Sequence, residues 1–158
     1  EGAGIGSVKN INIDNIIATG PYEPWKAMIE NVNEKSEIQE PVVVTSSITG
    51  QPGHTVKNIS ISNIRFEVLG GGTDADAGII VPEDPKAYPE TTRFGLSLPA
   101  YAFYCRHCEN ITFNNVTVGY INKDERPAFI FDDAESIKLN KVYCDGKSGL
   151  KDHSQLNS

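Results

Sequence analysis

Features that would assign this chain to a membrane or to nucleic acid are absent from its sequence. No stretch approaches the ~18 consecutive apolar residues of a membrane-spanning helix, so we predict no membrane span. Lysine and arginine total 14 against 21 acidic residues and form no cluster, so we set nucleic acid aside as a partner. No signal peptide is recognisable, and a repeat is already under way at residue 8. We therefore expect a fragment of a longer protein, with an artificially trimmed chain as the alternative.

Cysteine is also scarce, with three residues at Cys105, Cys108 and Cys144. The first two form a CxxC, but a redox motif would need a strand–helix context, and this one lies in a strand-like run. A zinc site would need a fourth ligand, and only His107 or the distant Cys144 is at hand. We interpret the cysteines as small core residues, with a disulfide and a metal site as alternatives, and we predict no cofactor.

The chain does contain a nine-residue phrase that recurs four times. Its copies begin at residues 8, 56, 108 and 134 and read VKNINIDNI, VKNISISNI, CENITFNNV and AESIKLNKV. Apolar and polar residues alternate within each copy, which is typical of β-strands. The steps between copies are 48, 52 and 26 residues, and two are close to twice the third, so we expect one coil per ~26 residues. Stacked strands at a fixed period predict an all-β fold, a parallel β-helix of about five to six coils.

Asparagine occupies matched places in the repeat. One set is Asn10, Asn58 and Asn110, and a second is Asn15, Asn63 and Asn115. Asparagine tolerates a left-handed backbone, so we expect these residues at turns, with side chains bonded to their neighbours along the stack. The triplets that begin at Asn58, Asn110 and Asn115 also match glycosylation acceptors, which is the alternative interpretation.

Four further segments interrupt or flank the repeat. Residues 21–40, which include Trp25, read as an excursion from the wall, and 41–48 as an apolar strand. Residues 70–100 begin with three glycines and form a long insertion, of the kind that collects on the binding face of a solenoid. We therefore divide the chain into a β-helix part at 1–146, carrying that insertion, and a polar tail at 147–158.

The segments between the repeats carry a composite of motifs. They include PGHTVKNISISNIRFEVLGGGT, VPEDPKAYPETTRFGLSLPAYAFYCRHCENITFNNV and ERPAFIFDDAESIKL, between residues 52 and 139. This composite resembles the C-terminal coils of bacterial glycoside hydrolase family 28, the polygalacturonase-like pectinases. The similarity covers roughly residues 5–145. The repeat alone is weakly specific, whereas unrelated β-helices have no reason to share these loops.

The resemblance implies a right-handed parallel β-helix that hydrolyses α-linked galacturonate polymers with inversion, by aspartates that protonate the leaving group and activate water. It also implies a secreted or periplasmic location in pectin degradation. The expected partners are pectic polysaccharide or oligogalacturonide and the rest of the parent β-helix.

The catalytic signatures of that family are not found in their order or context. The look-alikes at 12–14 (NID), 53–55 (GHT) and 132–133 (DD) lie in the repeat phrase, in a turn and at the end of the terminal coils. The adjacent aspartates of the last pair would point to opposite faces of a strand and so would not converge on a water. We therefore predict no catalytic residue in this chain and place the acid and base upstream.

The insertion offers the best candidates for contact with sugar. Aromatic faces stack on sugar rings, and arginine forms paired hydrogen bonds with a carboxylate. The candidate substrate-binding residues are Tyr88, Arg93, Tyr101, Tyr104, Arg106 and His107. In the alternative interpretation the tyrosines pack the insertion onto the β-helix and Arg106 pairs with a nearby acid.

The favoured function is the C-terminal part of a pectin-active hydrolase, inactive alone. The alternatives are a stand-alone carbohydrate-binding β-helix and a structural solenoid.

Overall fold

The computed structural model describes residues 6–18, 45–83 and 97–145, together with the backbone of three short strands at 28–31, 34–37 and 151–152. The strands are β1 Lys9–Ala18, β2 Met28–Asn31, β3 Glu34–Glu37, β4 Ser46–Thr49, β5 Val56–Gly70, β6 Phe103–Asn122, β7 Phe129–Glu135, β8 Lys138–Cys144 and β9 Lys151–Asp152. Within these ranges there is no α-helix, and one 3₁₀ turn lies at Asp76–Gly78. The all-β prediction is confirmed.

Seven of these strands form one parallel sheet that curls into a half-barrel. Its order is β1-β5-β6-β7-β9, with β4 beside the start of β6 and β8 beside its middle. Strands β2 and β3 form a separate antiparallel pair. The described strands of the large sheet therefore occupy five levels, which are β1, β4 with β5, β6, β7 with β8, and β9.

The repeat copies stack in register, as the alternation predicts. Ile13 pairs with Ile61, which pairs with Phe113, which pairs with Leu139. Because a strand has a side-chain period of two, this register places the apolar residues of every copy on one face of the sheet.

The expectation of one coil per ~26 residues is wrong for the two longer steps. The first copy pairs directly with the second, and the second directly with the third, so no coil lies between them. Only the last step has the expected length of 26 residues for one level, and across it Cys108 pairs with Ala134. The extra length of the second step lies in the segment between β5 and β6, which leaves the sheet and returns to it.

Each level bends where one residue adopts a left-handed backbone. In β6 the residues with positive φ are His107 (49°), Asn110 (56°) and Asn115 (54°). The next level bends at the equivalent positions Asp133, Ser136 and Lys141, and β5 and β1 bend at asparagine in the same way. Asparagine and aspartate tolerate this conformation better than most residues, so the recurrent asparagines are what allow one continuous strand to curl.

The asparagine side chains form ladders that run along the stack. Asn58 Nδ2 donates to Asn10 Oδ1 at 2.9 Å, and Asn110 Nδ2 donates to Asn58 Oδ1 at 2.9 Å. In a second ladder Asn115 Nδ2 donates to Asn63 Oδ1 at 2.8 Å. The predicted structural role is confirmed. Asn58, Asn110 and Asn115 begin the three triplets that match glycosylation sites, and each donates its side-chain nitrogen within a ladder.

The concave side of the sheet is filled by an aromatic and aliphatic core. Phe103 stacks on Phe129 with ring centroids 5.4 Å apart, and Phe113 meets both rings edge-on. Cys105 and Cys108 are fully buried in this core, which confirms core filling for these two, and all three cysteines are free thiols. Hydrogen bonding to Cys108 and burial raise the pKa of the Cys105 thiol well above its usual range.

A second, smaller cluster lies on the other side of β6 and β7. Tyr104 and Ile130 alternate with the core phenylalanines and pack with Val81, Leu98 and Ala100 of the insertion. Both ends of the insertion are therefore folded back onto the outer face of the sheet, and this arrangement positions the candidate site.

Candidate functional site

The candidate site is the layer that the insertion forms over the start of β6 and over β7. Tyr104 and Arg106 alternate with the core residues Phe103 and Cys105, so they project from the outer face. The chain segments at 79–83 and 97–100 cover them.

Arg106 holds the first of these segments against the sheet. Its guanidinium is buried and donates from Nη1 to the carbonyl of Val81 and from Nη2 to the carbonyl of Pro82, both at 2.9 Å. The Glu83 carboxylate lies 3.4 Å from Nη1, and the guanidinium carbon lies 5.7 Å from the centre of the Tyr104 ring. The planar fork of arginine suits such paired bonds, so Arg106 acts first as an anchor of the insertion.

His107 bridges two carboxylates that belong to different parts of the chain. Its Nδ1 is bonded to Asp133 in β7, and its Nε2 lies 2.8 Å from Glu83 Oε1 in the insertion. The ring is only 10% exposed, whereas Glu83 and Asp133 are 49% and 69% exposed. Burial by itself lowers the pKa of His107, but the bonds to both carboxylates and their charges raise it above its usual value. His107 therefore links the insertion, through Glu83, to β7, through Asp133.

The two described tyrosines among the candidates are committed to internal contacts. The Tyr104 hydroxyl donates to Asp132 Oδ2 at 2.8 Å. The Tyr101 hydroxyl donates to the carbonyl of Asp145 at 2.7 Å, and its ring meets Tyr120 edge-on. Burial is the main cause that raises the pKa of both phenols well above the usual range. Neither ring face is exposed, since both residues are at most 1% accessible.

Two of the six candidates, Tyr88 and Arg93, lie outside the described residues, as does Trp25. Of the four that are described, Tyr104, Arg106 and His107 come together in one layer. Tyr101 instead faces the core.

An ion pair that the sequence analysis missed fixes the far side of the layer. Arg126 and Asp124 are both fully buried, with Arg126 Nη2 2.7 Å and Nε 3.0 Å from the two oxygens of Asp124. The same carboxylate accepts the backbone N–H groups of Gly72 and Arg126, each at 3.0 Å. Arg126 Nη1 donates to the carbonyl of Leu98 at 2.9 Å. The pair therefore ties the start of the insertion to its end.

The glycines at the start of the insertion are required by this packing. A Cβ on Gly72 would lie 2.1 Å from Arg126 Nε. Gly70 has φ of 71°, and a Cβ there would lie 2.1 Å from the carbonyl oxygen of Asn122. The triple glycine and the RPA motif were the visible signals of this contact, although the sequence alone did not show that they meet.

The aspartates in the segments that look like catalytic motifs form hydrogen bonds with other side chains of the sheet. Asp132 accepts the bond from Tyr104, and Asp133 is bonded to His107. Asp14 Oδ1 accepts a bond from Asn63 Nδ2 at 2.9 Å and so belongs to a ladder. In the part of the chain that the structure describes, no three histidine, cysteine or acidic side chains are grouped so as to hold a metal ion. No helix of sufficient length and apolar character to cross a bilayer occurs in the described ranges.

In comparisons with known proteins, no family model, curated protein or solved structure matches this chain.

Proposed function

We propose that this chain forms the C-terminal coils of a pectin-active, polygalacturonase-like glycoside hydrolase. In this proposal the curled parallel sheet is part of a right-handed β-helix. The parent enzyme cleaves α-linked galacturonate polymers with inversion, and it acts outside the cell or in the periplasm. The catalytic carboxylates belong to residues outside this sequence.

The observation that carries the proposal is the contact between the motif segments. The triple glycine touches the ERPA segment at Gly72 and Arg126, and Arg126 reaches the carbonyl of Leu98 in LPAY. His107, in the YCRHC segment, is bonded to Asp133, in the FDD segment. Motifs that are far apart in sequence therefore build a single layer, which supports the view that they form one inherited unit.

The positions of the acids support placing catalysis elsewhere. Inverting hydrolysis needs one carboxylic acid and one carboxylate on opposite sides of the scissile bond, with room for a water. Asp132 is bonded to Tyr104 and Asp133 to His107, so both aspartates serve the fold of this layer.

The exposed part of the layer suggests how a pectic chain would be held. Glu83 is about half exposed and lies against both Arg106 and His107. A uronate carries the same carboxylate group, so it would compete with Glu83 for the His107 Nε2–H. In this proposal Arg106 and His107 contact substrate, with Tyr88 and Arg93 as further predicted contacts.

Titration of oligogalacturonide into the chain tests this substrate site. We expect measurable affinity in the wild type. We expect about two- to fivefold tighter binding by Glu83→Gln, because removing an exposed competing charge is worth up to about 1 kcal/mol. Glu125→Gln is the matched control, since Glu125 is comparably exposed but pairs with Lys123 instead. No affinity in either protein would favour a purely structural solenoid.

The activity assay follows the release of reducing ends from polygalacturonate. We expect none from the chain alone. Turnover that disappears in Asp132→Asn or Asp133→Asn would contradict the proposal. Binding without turnover is also what a stand-alone carbohydrate-binding β-helix would show. This alternative is favoured by the commitment of both aspartates to structural bonds, and it is separated from the proposal by adding the upstream coils and measuring the assay again.

A further inference from the structure

His107 stands at a bend that two adjacent levels of the sheet share. His107 and Asp133 both adopt a left-handed backbone, with φ of 49° and 48°. The residues on either side of them pair across the two strands, Arg106 with Asp132 and Cys108 with Ala134. The bond between His107 and Asp133 is therefore the counterpart of an asparagine ladder bond, but one of its partners can gain or lose a proton near neutral pH.

The two sides of the His107 ring are held differently. On the Nδ1 side, the pairing of β6 with β7 fixes the position of Asp133. On the Nε2 side, Glu83 ends the described segment 79–83, which belongs to no strand. Glu83 Oε1 lies 2.8 Å from Nε2 and also 3.4 Å from Arg106 Nη1. The Glu83 carboxylate therefore has a second cation to which it can turn.

Both bonds of the ring can be made together only by its protonated form. An ionised carboxylate accepts hydrogen bonds and donates none, so each ring nitrogen must carry a proton to bond to both Glu83 and Asp133. A neutral ring has one N–H group, and it turns a lone pair toward the other carboxylate. Burial by itself lowers the pKa of His107, but its bonds to the two carboxylates and their charges raise it above 6.5, which fits this arrangement.

The other charged or titratable groups around the ring have partners of their own or are exposed. On the same strand, Arg106 donates to carbonyls of the insertion, and Glu109 pairs with the exposed Lys57. In β7, Asp132 accepts the bond from Tyr104. The turn between β4 and β5 approaches through its backbone, where Gly50 lies against the carbonyl oxygen of His107, and the titratable residue of that turn, His54, is exposed.

We propose that His107 is a pH-sensitive latch that holds the Glu83 end of the insertion against β7. The protonated ring binds Glu83 and Asp133 together, and loss of one proton releases Glu83 while the Nδ1–H bond to Asp133 is kept. Arg106 keeps its bonds to the carbonyls of Val81 and Pro82, so the segment stays attached there and the opening is confined to Glu83. The latch is closed below the pKa of His107 and opens as pH rises through it.

A pH titration of the full chain by nuclear magnetic resonance tests the latch. Long-range proton–nitrogen spectra show which ring nitrogens carry a proton, and the signals lost in His107→Gln identify the ring. In the wild type we expect both nitrogens of His107 to be protonated at the acid end of the titration, with a midpoint above 6.5. The backbone amide signal of Glu83 should shift with the same midpoint, whereas that of Val81 should shift less.

Three variants separate the latch from a general effect of pH. In His107→Gln the shift of the Glu83 amide should be lost. Glu83→Gln should lower the midpoint of His107, because it removes a charge that favours the protonated ring. His54→Gln is the matched control, since it removes an exposed histidine, and it should leave the midpoint of His107 and the shift of Glu83 unchanged.

Three results would overturn the proposal. The first is a His107 ring with a single protonated nitrogen throughout the titration, and the second is a Glu83 amide whose shift does not follow the His107 midpoint. The third is a Glu83 shift that persists in His107→Gln. The wild-type titration needs no variant, and a urea titration shows whether each variant is folded. Because no readout contains sugar, failure here is distinct from failure of the proposed hydrolase role.

Discussion

Replacing Asp124 by asparagine should destabilise the layer formed by the insertion. We expect this change to lower the free energy of unfolding more than the loss of any other single charge in that layer. Each oxygen of this buried carboxylate accepts two donors. Oδ1 accepts the N–H and Nε of Arg126, and Oδ2 accepts the N–H of Gly72 and Nη2 of Arg126. Asparagine keeps the shape but turns one oxygen into an NH₂ group. Whichever oxygen is replaced, two donors lose their acceptor and the guanidinium loses its counter-charge.

The expected cost follows from the burial of the pair. Both side chains are fully buried, so water cannot compensate Arg126 once the carboxylate is gone. Removing one partner of a buried ion pair costs about 3–5 kcal/mol, because an uncompensated charge remains in a low-dielectric site. We expect a loss of this size in the free energy of unfolding.

The pH dependence has a defined sign. Burial by itself raises the pKa of Asp124, but the bonds from Arg126 and Gly72 outweigh it and hold the pKa below its usual value. A carboxyl group with a lowered folded-state pKa contributes stability above its unfolded pKa of about 3.9, and this contribution is lost as pH falls through the folded value. The difference in unfolding free energy between the wild type and Asp124→Asn should therefore become smaller only at strongly acidic pH, where the wild-type carboxylate is protonated as well.

Urea denaturation followed by circular dichroism measures both effects. The matched control is Glu125→Gln, one residue away. Its carboxylate is 42% exposed and pairs with an exposed lysine, so we expect a cost below about 1 kcal/mol. The double variant Asp124→Asn/Arg126→Met should recover part of the loss, since it removes the stranded charge. If Asp124→Asn costs no more than Glu125→Gln, the buried pair does not hold this layer and the reasoning is refuted.

Three further predictions concern other parts of the layer and the ladder, each measured by urea denaturation. Gly72→Ala should cost about 1–3 kcal/mol, because its Cβ would overlap Arg126, and a neutral outcome would show that the arginine moves aside at no cost. The pKa of His107 is raised in the folded state, so its contribution is present below about pH 6.5 and is lost as pH rises through the raised value. As pH rises through this pKa, the free energy of unfolding of the wild type should fall by about 1 kcal/mol relative to that of His107→Gln. If the two proteins show parallel pH profiles, His107 does not stabilise the fold through its bonds to Glu83 and Asp133. Asn58→Ala should cost about 1–3 kcal/mol through two lost ladder bonds and a left-handed alanine, whereas Asn58→Gly keeps the backbone conformation and should cost less. Equal costs would mean that the side-chain ladder carries the whole effect.

Two features of the site separate what the sequence shows from what it conceals. The motifs around Gly72, Arg106 and Arg126 stood out as a composite, so the location of the layer was visible. The partners of these arginines were not, because they are largely backbone carbonyls of Val81, Pro82 and Leu98, and a carbonyl gives no signal of its own in a sequence.

The sequence by itself determined the strands, their register and the left-handed asparagines. These follow from alternation and repetition within a nine-residue phrase, and local backbone preferences decide them. The tertiary structure decided which copies are neighbours, and it showed that the copies 48 and 52 residues apart lie on adjacent levels. It also decided that Tyr101 lies in the core and Tyr104 lies beneath the insertion, and that Asp124 and Arg126 are buried as a pair. Such outcomes depend on where an excursion returns to the sheet, and a spacing along the chain records the length of an excursion but not its path.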